Sequence, residues 1–588
     1  MSGSLTLSHN GRSAYRIVIA RDATDAERFA ASELQEFLHQ IGTCRLPIVT
    51  DEQPFGACDI LLGPGNRHLA IQGLAEDTDH LGAESFVIRT EGCCLAIASG
   101  RPRGTVYGVY TFLEQYLGCR FLTAQVSHIP KRATIEIPPI ALSQGPAFEY
   151  REPYSRDAFN GAWCARNKMN SNKSDLDDTR GGRMRWYNFH HSFYQMIHEK
   201  DYFADHPEYF SLVGGQRLRH RSQLCLTNPD VVRICTDKVR QWIRDNPACR
   251  VFSVGQNDWG NSCTCDSCRA VDEREGSQAG TMLQFVNQIA AEVEPEHPDV
   301  LIHTFAYQYT RKAPRTIRPR ANVIVRLCTI ECCFSHPLER CSHDRHNPDD
   351  AGDADNLFLR DLREWSQITD RLYIWDYITN FSHYLQPFPN LRVLEANIRL
   401  FHRYGVKGVL EQGNFSFGGG GEMNELRAYV LAKLLWDPAY GAERAMDEFL
   451  TGYFGMAAQP IRAWLTLFHD AATAYHAHIN DPPSADYWND SLLDRGDQCF
   501  DEAERLADND ERLERVRKAR LALRYVRLCR MDPADPARAL TADRLADDLK
   551  KHGITEIWER KPLDISLEMV KNGEMDRRRE IPRWDYYM

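Results

Sequence analysis

The chain has 588 residues, 43% hydrophobic and 26% charged, and carries a net charge of −11. That length calls for more than one domain, and the acidic balance excludes a nucleic-acid or anionic-membrane partner, since both need a basic face. No segment approaches the roughly 18 apolar residues of a membrane span. The N-terminal stretch MSGSLTLSHNGRSAYRIVIA lacks a basic region followed by a long apolar one. A cytoplasmic protein is expected as written, or an exported one if a leader was trimmed. In the first case its 18 cysteines are mostly reduced.

Residues 1–140 read as a compact α/β accessory domain. Tyr15–Ala20 and Ile60–Leu62 are short apolar runs that predict strands, and Asp25–Ile41 carries Ala, Leu and Phe at helical spacing. Phe86–Arg89 and Leu95–Ala98 suit a hairpin turning at Glu91-Gly92. In Arg103–Leu122, residues Val106, Val109, Tyr110, Leu113 and Leu117 share one helical face, and Gly118 suits a helix end. The Pro-containing run PPIALSQGP that follows Ile137 reads as a linker.

Between residues 145 and 438, strand-like runs alternate with helical ones, the pattern of βα units on a parallel sheet. The candidate strands are Phe148–Glu152, Trp186–His190, Gln223–Thr227, Val251–Gly255, Leu301–Ala306, Val323–Thr329, Arg371–Trp375 and Val406–Leu410. Amphipathic stretches such as Asp230–Ile243, Met282–Val293, Leu357–Ile368 and Arg392–Tyr404 lie between them. This predicts an α/β architecture with a central (β/α)8 TIM-type barrel. Beyond Asp437-Pro438 strand signals vanish, and residues 440–588 are expected to form an α-helical C-terminal domain.

In such a barrel the polar residues just past each strand converge on one pocket. The run Val251–Cys268, VFSVGQNDWGNSCTCDSC, stops being apolar at Asn257-Asp258 and so makes Asp258 the leading catalytic candidate. An Asp at a strand end equally well caps a turn or a helix. Glu331 and Asn257 complete the candidate catalytic set. His190, His191, Tyr307, Trp375, Asp376, Tyr377, Glu411 and Asn414 are candidate substrate-binding residues. Carboxylates with aromatics and no phosphate loop are the equipment of glycoside hydrolysis, in which one carboxyl protonates the leaving oxygen. Asp376 has the plainer reading of a hydrogen bond in the barrel floor. His190-His191 lacks any accompanying metal motif, so hydroxyl contacts or packing suit it better than a metal. Gly418–Gly421 is not followed by Lys-Ser/Thr and reads as a rim loop.

Cys263, Cys265 and Cys268, with Cys328, Cys332, Cys333 and Cys341 on a neighbouring strand and loop, form a second pattern. In a reducing compartment a CxCxxC spacing with a distant fourth ligand can hold structural zinc or stay as free thiols, whereas in an exported protein the same residues pair as disulfides. The reaction itself calls for no cofactor.

Several segments carry a family resemblance: HPEYFSL (His206–Leu212), QLCLTNP (Gln223–Pro229), GQNDWGNSCTCDSC (Gly255–Cys268), IECCFSHPL (Ile330–Leu338), WDY (Trp375–Tyr377) and ELRAYVLAKLLWDP (Glu425–Pro438). Through them the barrel resembles the domain of unknown function 4838, whose characterised branch is glycoside hydrolase family 163. RGTVYGVYTFLEQYLGCRFL resembles the domain that precedes the barrels of family 67 α-glucuronidases and family 20 hexosaminidases. The resemblance implies a β-N-acetylglucosaminidase-like enzyme that cleaves within N-acetylglucosamine-containing glycans, with the substrate acetamide as nucleophile. It implies Asp258 as acid/base or acetamide-orienting group, Asn257 as its assistant and Glu331 as partner carboxylate or acid, with Asp376 and Glu411 next in line. Two rivals stay open. One is an inverting α-glucuronidase-like exo-enzyme using Arg151 or Arg326 to hold a uronate. The other is a glycan-binding barrel without turnover.

Overall fold

A computed structural model describes residues 4–56, 58–71, 73, 80–343, 356–416 and 418–574. The chain divides into two compact units. One comprises Met1–Arg183, Gly413–Phe468 and Asp490–Leu523; the other comprises Met184–Gln412, His469–Asn489 and Arg524–Met588. Among the described residues no helix is long and apolar enough to cross a membrane.

The main sheet of the first unit draws on strand β1 (Arg16–Ile19), followed by helix α1 (Asp25–Gly42) and strands β2 (Ile48–Thr50), β3 (Asp59–Leu62), β4 (Phe86–Glu91) and β5 (Cys94–Ser99). Helix α2 (Gly104–Gln115) and strand β6 (Ala141–Gln144) follow. The strands form one mixed sheet in the order β6-β4-β5-β3-β1-β2. Helix α1 starts where Thr24 accepts from the Glu27 amide and Glu27 accepts from the Thr24 amide, a reciprocal cap. Its Ala30, Leu34, Phe37, Leu38 and Ile41 are buried, as the helical spacing requires. The backbone of α2 comes so close to the sheet that a Cβ on Gly108 would lie 2.5 Å from Ile97, so only glycine fits. The expected linker is instead strand β6, which pairs antiparallel with β4 from Ala141↔Arg89 to Gln144↔Phe86. Its alternation of exposed and half-buried side chains is that of an edge strand, a period that the flanking prolines obscure.

Strand β7 (Tyr150–Tyr154) also belongs to this unit, as do helices Asn424–Trp436, Ala442–Phe454 and Asp490–Leu506.

The second unit holds strands β8 (Trp186–Tyr187), β9 (Val251–Ser253), β10 (Leu301–Ala306), β11 (Val323–Cys328), β12 (Leu372–Tyr377) and β13 (Gly408–Gln412). They lie side by side in chain order, every neighbouring pair parallel, in a curled sheet of the TIM-barrel type. Strands β10 and β11 are buried at every residue, the signature of a parallel sheet covered on both faces. The crossovers carry helices α3 (Pro229–Asp245), α4 (Asp266–Glu275), α5 (Ala279–Val293), α6 (Leu357–Ser366) and α7 (Leu394–Arg403). Asn228 caps α3 and Pro229 opens it, the favoured N-terminal pairing.

The eightfold repeat is not complete, because Gln223–Thr227 is not a strand of this sheet. Its backbone is spent locally: Ser211 N–H donates to Gln223 O (3.0 Å) and Cys225 N–H to Tyr209 O (2.8 Å), leaving only an isolated bridge at Phe210↔Leu224. Strand β8 therefore pairs directly with β9.

Candidate active site

Past the end of β9, the chain turns polar at Gln256, Asn257 and Asp258. The Asp258 carboxylate accepts a hydrogen bond from Tyr307 O–H at 2.8 Å, and His191 Nε2 lies 3.3 Å from the same oxygen. Gln308 Nε2 in turn donates to the Tyr307 hydroxyl (3.0 Å). His191 Nδ1 sits 2.5 Å from the Gln256 carbonyl. A carbonyl only accepts, so Nδ1 carries the proton and Nε2 faces Asp258. The Asp258 side chain is 13% exposed and that of His191 29%, so both are open to a ligand. Aromatic rings floor this corner: His191 stands 5.2 Å from Phe305, and Phe305 5.8 Å from Trp375, which stacks on Phe189. Such faces suit the apolar side of a pyranose ring.

Asn257 does other work. Its side-chain oxygen accepts from the Tyr194 amide (3.3 Å) and its Nδ2 donates to Ser222 O (3.0 Å). Its backbone is clasped by Gln223, whose Oε1 accepts from Asn257 N–H and whose Nε2 donates to Asn257 O. Buried and fully engaged, Asn257 fixes the loop that presents Asp258.

Asp376 and Glu411 stand directly opposite each other on β12 and β13. Asp376 accepts from Thr329 Oγ1 (2.5 Å) and from the Tyr377 amide (2.8 Å). Burial nonetheless raises its pKa to about 6. Burial, and then the charge of Asp376, push Glu411 well above the ordinary carboxylate range. Glu331, two residues past Thr329, lies 3.3 Å from Arg311, which also binds Asp361 at 2.8 Å. This ion-pair cluster is buried.

Tyr377 is buried against Phe334 and Phe381, and Trp375 donates its indole N–H to Gln412 (2.8 Å). The His190 carbonyl accepts from Ser253 Oγ (2.8 Å), and its Nδ1 lies 3.4 Å from His191 O. Asn414 belongs to the first unit, where it holds the glycine-rich turn by donating to Gly419 O (2.7 Å) and accepting from Ser416 N–H. Arg151, also in the first unit, is fully buried and grips Glu84 with both terminal nitrogens, at 2.8 and 2.9 Å. Arg326 is sandwiched between Trp186 (4.2 Å) and Trp375 (5.3 Å).

One carboxyl was not anticipated. Glu559 lies in a segment laid across the loop that follows β12: its N–H donates to Phe381 O (3.0 Å), and Tyr384 N–H donates to Ile557 O (2.9 Å). Burial raises Glu559 to about 7, with Arg560 opposing the rise and the nearby Asp258 adding to it. No periodicity or spacing marks Glu559, which lies some 300 residues downstream of Asp258; the only cue was an acid beside a tryptophan in TEIWERK.

The cysteines separate into two groups. Cys263, Cys265 and Cys268 gather with Cys225, and Cys333 and Cys341 gather with His336 and His476. Each group is a potential four-donor metal site. Cys328 and Cys332 belong to neither.

No curated protein sequence matches the chain. Among solved structures, a family GH115 4-O-methyl-α-glucuronidase with specificity for decorated arabinogalactans superposes with a TM-score of 0.56 at 10% identity, covering 97% of this chain and 78% of the other. CpGH84B gives a TM-score of 0.48 at 12% identity over 97% and 98% of the two chains. A GH138 enzyme targeting pectin rhamnogalacturonan II gives 0.44 at 10% over 96% and 100%. The family described as Glycosyl hydrolase family 67 N-terminus matches residues 5–112. The family described as Domain of unknown function (DUF4838) matches residues 121–466, more than half of the sequence, and the chain belongs to that family.

Proposed function

We propose that the protein is a glycoside hydrolase that cleaves N-acetylglucosamine-containing glycans, in the manner of glycoside hydrolase family 163, with the substrate acetamide as nucleophile. The observation that carries this reading is the Asp258 carboxylate at the C-terminal end of the parallel strands, bound by the Tyr307 hydroxyl and beside His191, above an aromatic floor. In this scheme Asp258 accepts the acetamide N–H and turns the acetamide oxygen toward the anomeric carbon. Glu559, whose carboxyl burial raises to about 7, gives its proton in the acid form to the departing glycosidic oxygen as the carbon–oxygen bond breaks. The acetamide oxygen bonds to the anomeric carbon and its nitrogen yields a proton to Asp258. Water, deprotonated by Glu559, then adds to that carbon and reopens the ring while the proton returns to nitrogen. Attack from one face and then the other retains the anomeric configuration. Trp375 stacks on the sugar, and Asp376, Glu411 and His190 serve its hydroxyls. Glu331, engaged by Arg311, supports the rim from behind.

A uronate-processing reading draws support from the family 67 N-terminal match. Because Arg151 is committed to Glu84, Arg326 is the arginine this reading requires. Mass spectrometry of products from a complex-type N-glycan, with wild type and Asp258→Ala, decides between them. Release of an N-acetylglucosamine-ended fragment by wild type alone supports the proposal. Full activity in Asp258→Ala overturns the assignment. No release by either protein overturns the N-acetylglucosaminidase reading in favour of uronate processing, or of binding without turnover.

A further inference from the structure

We propose that the barrel unit binds two tetrahedral divalent cations of the zinc class, one on Cys225, Cys263, Cys265 and Cys268 and the other on Cys333, His336, Cys341 and His476. Each clamps a rim loop, the first the loop carrying Asp258 and the second the loop carrying Glu331. In each group the four donor atoms lie within 4.8 Å of one another. Zinc–thiolate bonds of about 2.3 Å in a tetrahedron put sulfurs about 3.8 Å apart. Cys225 Sγ stands 3.7 Å from Cys265 Sγ and 4.0 Å from Cys268 Sγ. Those spacings fit ligands of a common ion and are too long for a disulfide, whose sulfurs are about 2.05 Å apart.

The surroundings of the first group are those of a thiolate site. Leu212 N–H points at Cys263 Sγ (3.3 Å), with Arg217 Nη1 at 3.7 Å, and Thr227 Oγ1 lies 3.2 Å from Cys268 Sγ. Cys265 is the N-cap of α4 and Cys268 lies in its first turn, where the helix dipole favours negative charge. Binding releases the four thiol protons and leaves a dianionic centre, which these donors and Arg217 offset. The fold also gives the clamp a purpose. Cys225 lies in Gln223–Thr227, the run that leaves the sheet. An ion ties that run to the loop beyond β9 a second time, beyond the Gln223 side chain that already holds Asn257 and Trp259.

The second group stands on its own geometry. Cys333 Sγ is 3.2 Å from His336 Nδ1, and Cys341 Sγ is 3.5 Å from His476 Nδ1. His336 Nε2 lies 2.7 Å from the Thr473 carbonyl. That contact places the imidazole proton on Nε2 and leaves the Nδ1 lone pair for an ion, the outer-sphere arrangement of a ligating histidine. Two thiolates and two neutral imidazoles give an uncharged centre with release of two protons. The segment bearing His476 is already sewn to the loop, since Phe334 N–H donates to Ala477 O (2.9 Å) and Ala477 N–H to Ser335 Oγ (3.0 Å).

The test is metal content of the full chain, purified under reducing conditions without chelator, by inductively coupled plasma mass spectrometry. Two equivalents of zinc are expected. Cys225→Ser and His476→Ala should each lose one equivalent, and His476 is exposed enough that its variant should keep the fold. Protein produced in cobalt medium should show thiolate-to-cobalt charge transfer and the visible bands of tetrahedral Co(II), a readout that needs no variant. Absence of metal, with the eight residues titrating as free thiols and imidazoles or with an intact mass lighter by two hydrogens per disulfide, overturns the proposal. A single equivalent lost in Cys225→Ser and kept in His476→Ala overturns the second site alone. None of these readouts depends on turnover, so they stand apart from the fate of the glycosidase reading.

Discussion

Asp376 and Glu411 are register partners on adjacent parallel strands, both buried, with two carboxyl groups and few donors between them. Thr329 and the Tyr377 amide serve Asp376, while Glu411 Oε2 is buried with no hydrogen-bond partner among the described residues. Like charges this close cannot both ionise cheaply, so the pair retains a proton above the usual carboxylate range.

A stability prediction comes from that pair. Asp376 binds its proton more tightly when folded, at about 6, than at its ordinary 3.8. Its contribution to stability is therefore whole below pH 3.8 and is lost as pH rises through about 6. Asp376→Asn keeps an oxygen for Thr329 and turns an amide toward Glu411, replacing repulsion with a hydrogen bond. Relative to wild type, the variant should be stabilised by roughly 2–3 kcal/mol at about pH 8 and by little at about pH 4. Urea unfolding at the two pH values measures the difference. An equal effect at both would mean that the carboxyls do not share a proton.

Glu559 should shape the alkaline side of the activity profile. With its proton held to about 7, turnover should fall as pH rises through that value, because the acid form is consumed. Glu559→Gln should remove that limb and lower kcat on the order of 10²-fold to 10⁴-fold. The check is kcat against pH on a substrate with a poor leaving group, paired with one whose phenolic leaving group needs no proton. Equal losses on the two substrates would show that Glu559 is not the acid.

Asp258 and Tyr307 should be distinguishable in kinetics. Asp258→Asn keeps the size and the contact with Tyr307 but not the charge, and should cost about as much turnover as Asp258→Ala. Tyr307→Phe deletes one hydrogen bond to a charged group, worth a roughly 10-fold to 100-fold loss. The two losses should not add in the double variant, because the hydroxyl acts through the carboxylate. Additive losses would assign Tyr307 a separate contact with substrate.

The strands were legible wherever a run is buried on both faces. Leu301–Ala306 is a strand with the same bounds as expected, and Val323–Thr329 differs by one residue. Gln223–Thr227 misled because the consecutive apolar residues Leu224, Cys225 and Leu226 read as a buried strand although the run is not part of the parallel sheet. Asn257-Asp258 was legible as an abrupt end to an apolar run. What separates the roles of its two residues is which neighbours their side chains reach, and Tyr194, Ser222 and Tyr307 lie far away in sequence. The same holds for Glu331, whose guanidinium partner Arg311 precedes it by 20 residues on another strand's loop. Spacing found three cysteines of one cluster, but Cys225 and His476 join their groups only through folding.

Asn257 makes the last prediction, because its side chain binds the backbone of Tyr194 and Ser222 while that of Asp258 meets the side chains of Tyr307 and His191. Asn257→Ala strands the Tyr194 amide, a donor costing about 1–3 kcal/mol when left unmade, whereas the Ser222 carbonyl keeps the Trp259 indole N–H at 3.0 Å. Asn257→Asp is the sharper probe, since it retains the acceptor for Tyr194 but sets a carboxylate against the Ser222 carbonyl oxygen. It should therefore destabilise at neutral pH and recover as the new carboxyl is protonated in acid. Thermal unfolding across that range reads the effect. Asp258→Ala, which gives up the side-chain contacts with Tyr307 and His191, should leave the unfolding temperature nearly unchanged while abolishing turnover. If Asp258→Ala unfolds as readily as Asn257→Ala, Asp258 is a structural member of the loop and the division of labour between these adjacent residues fails.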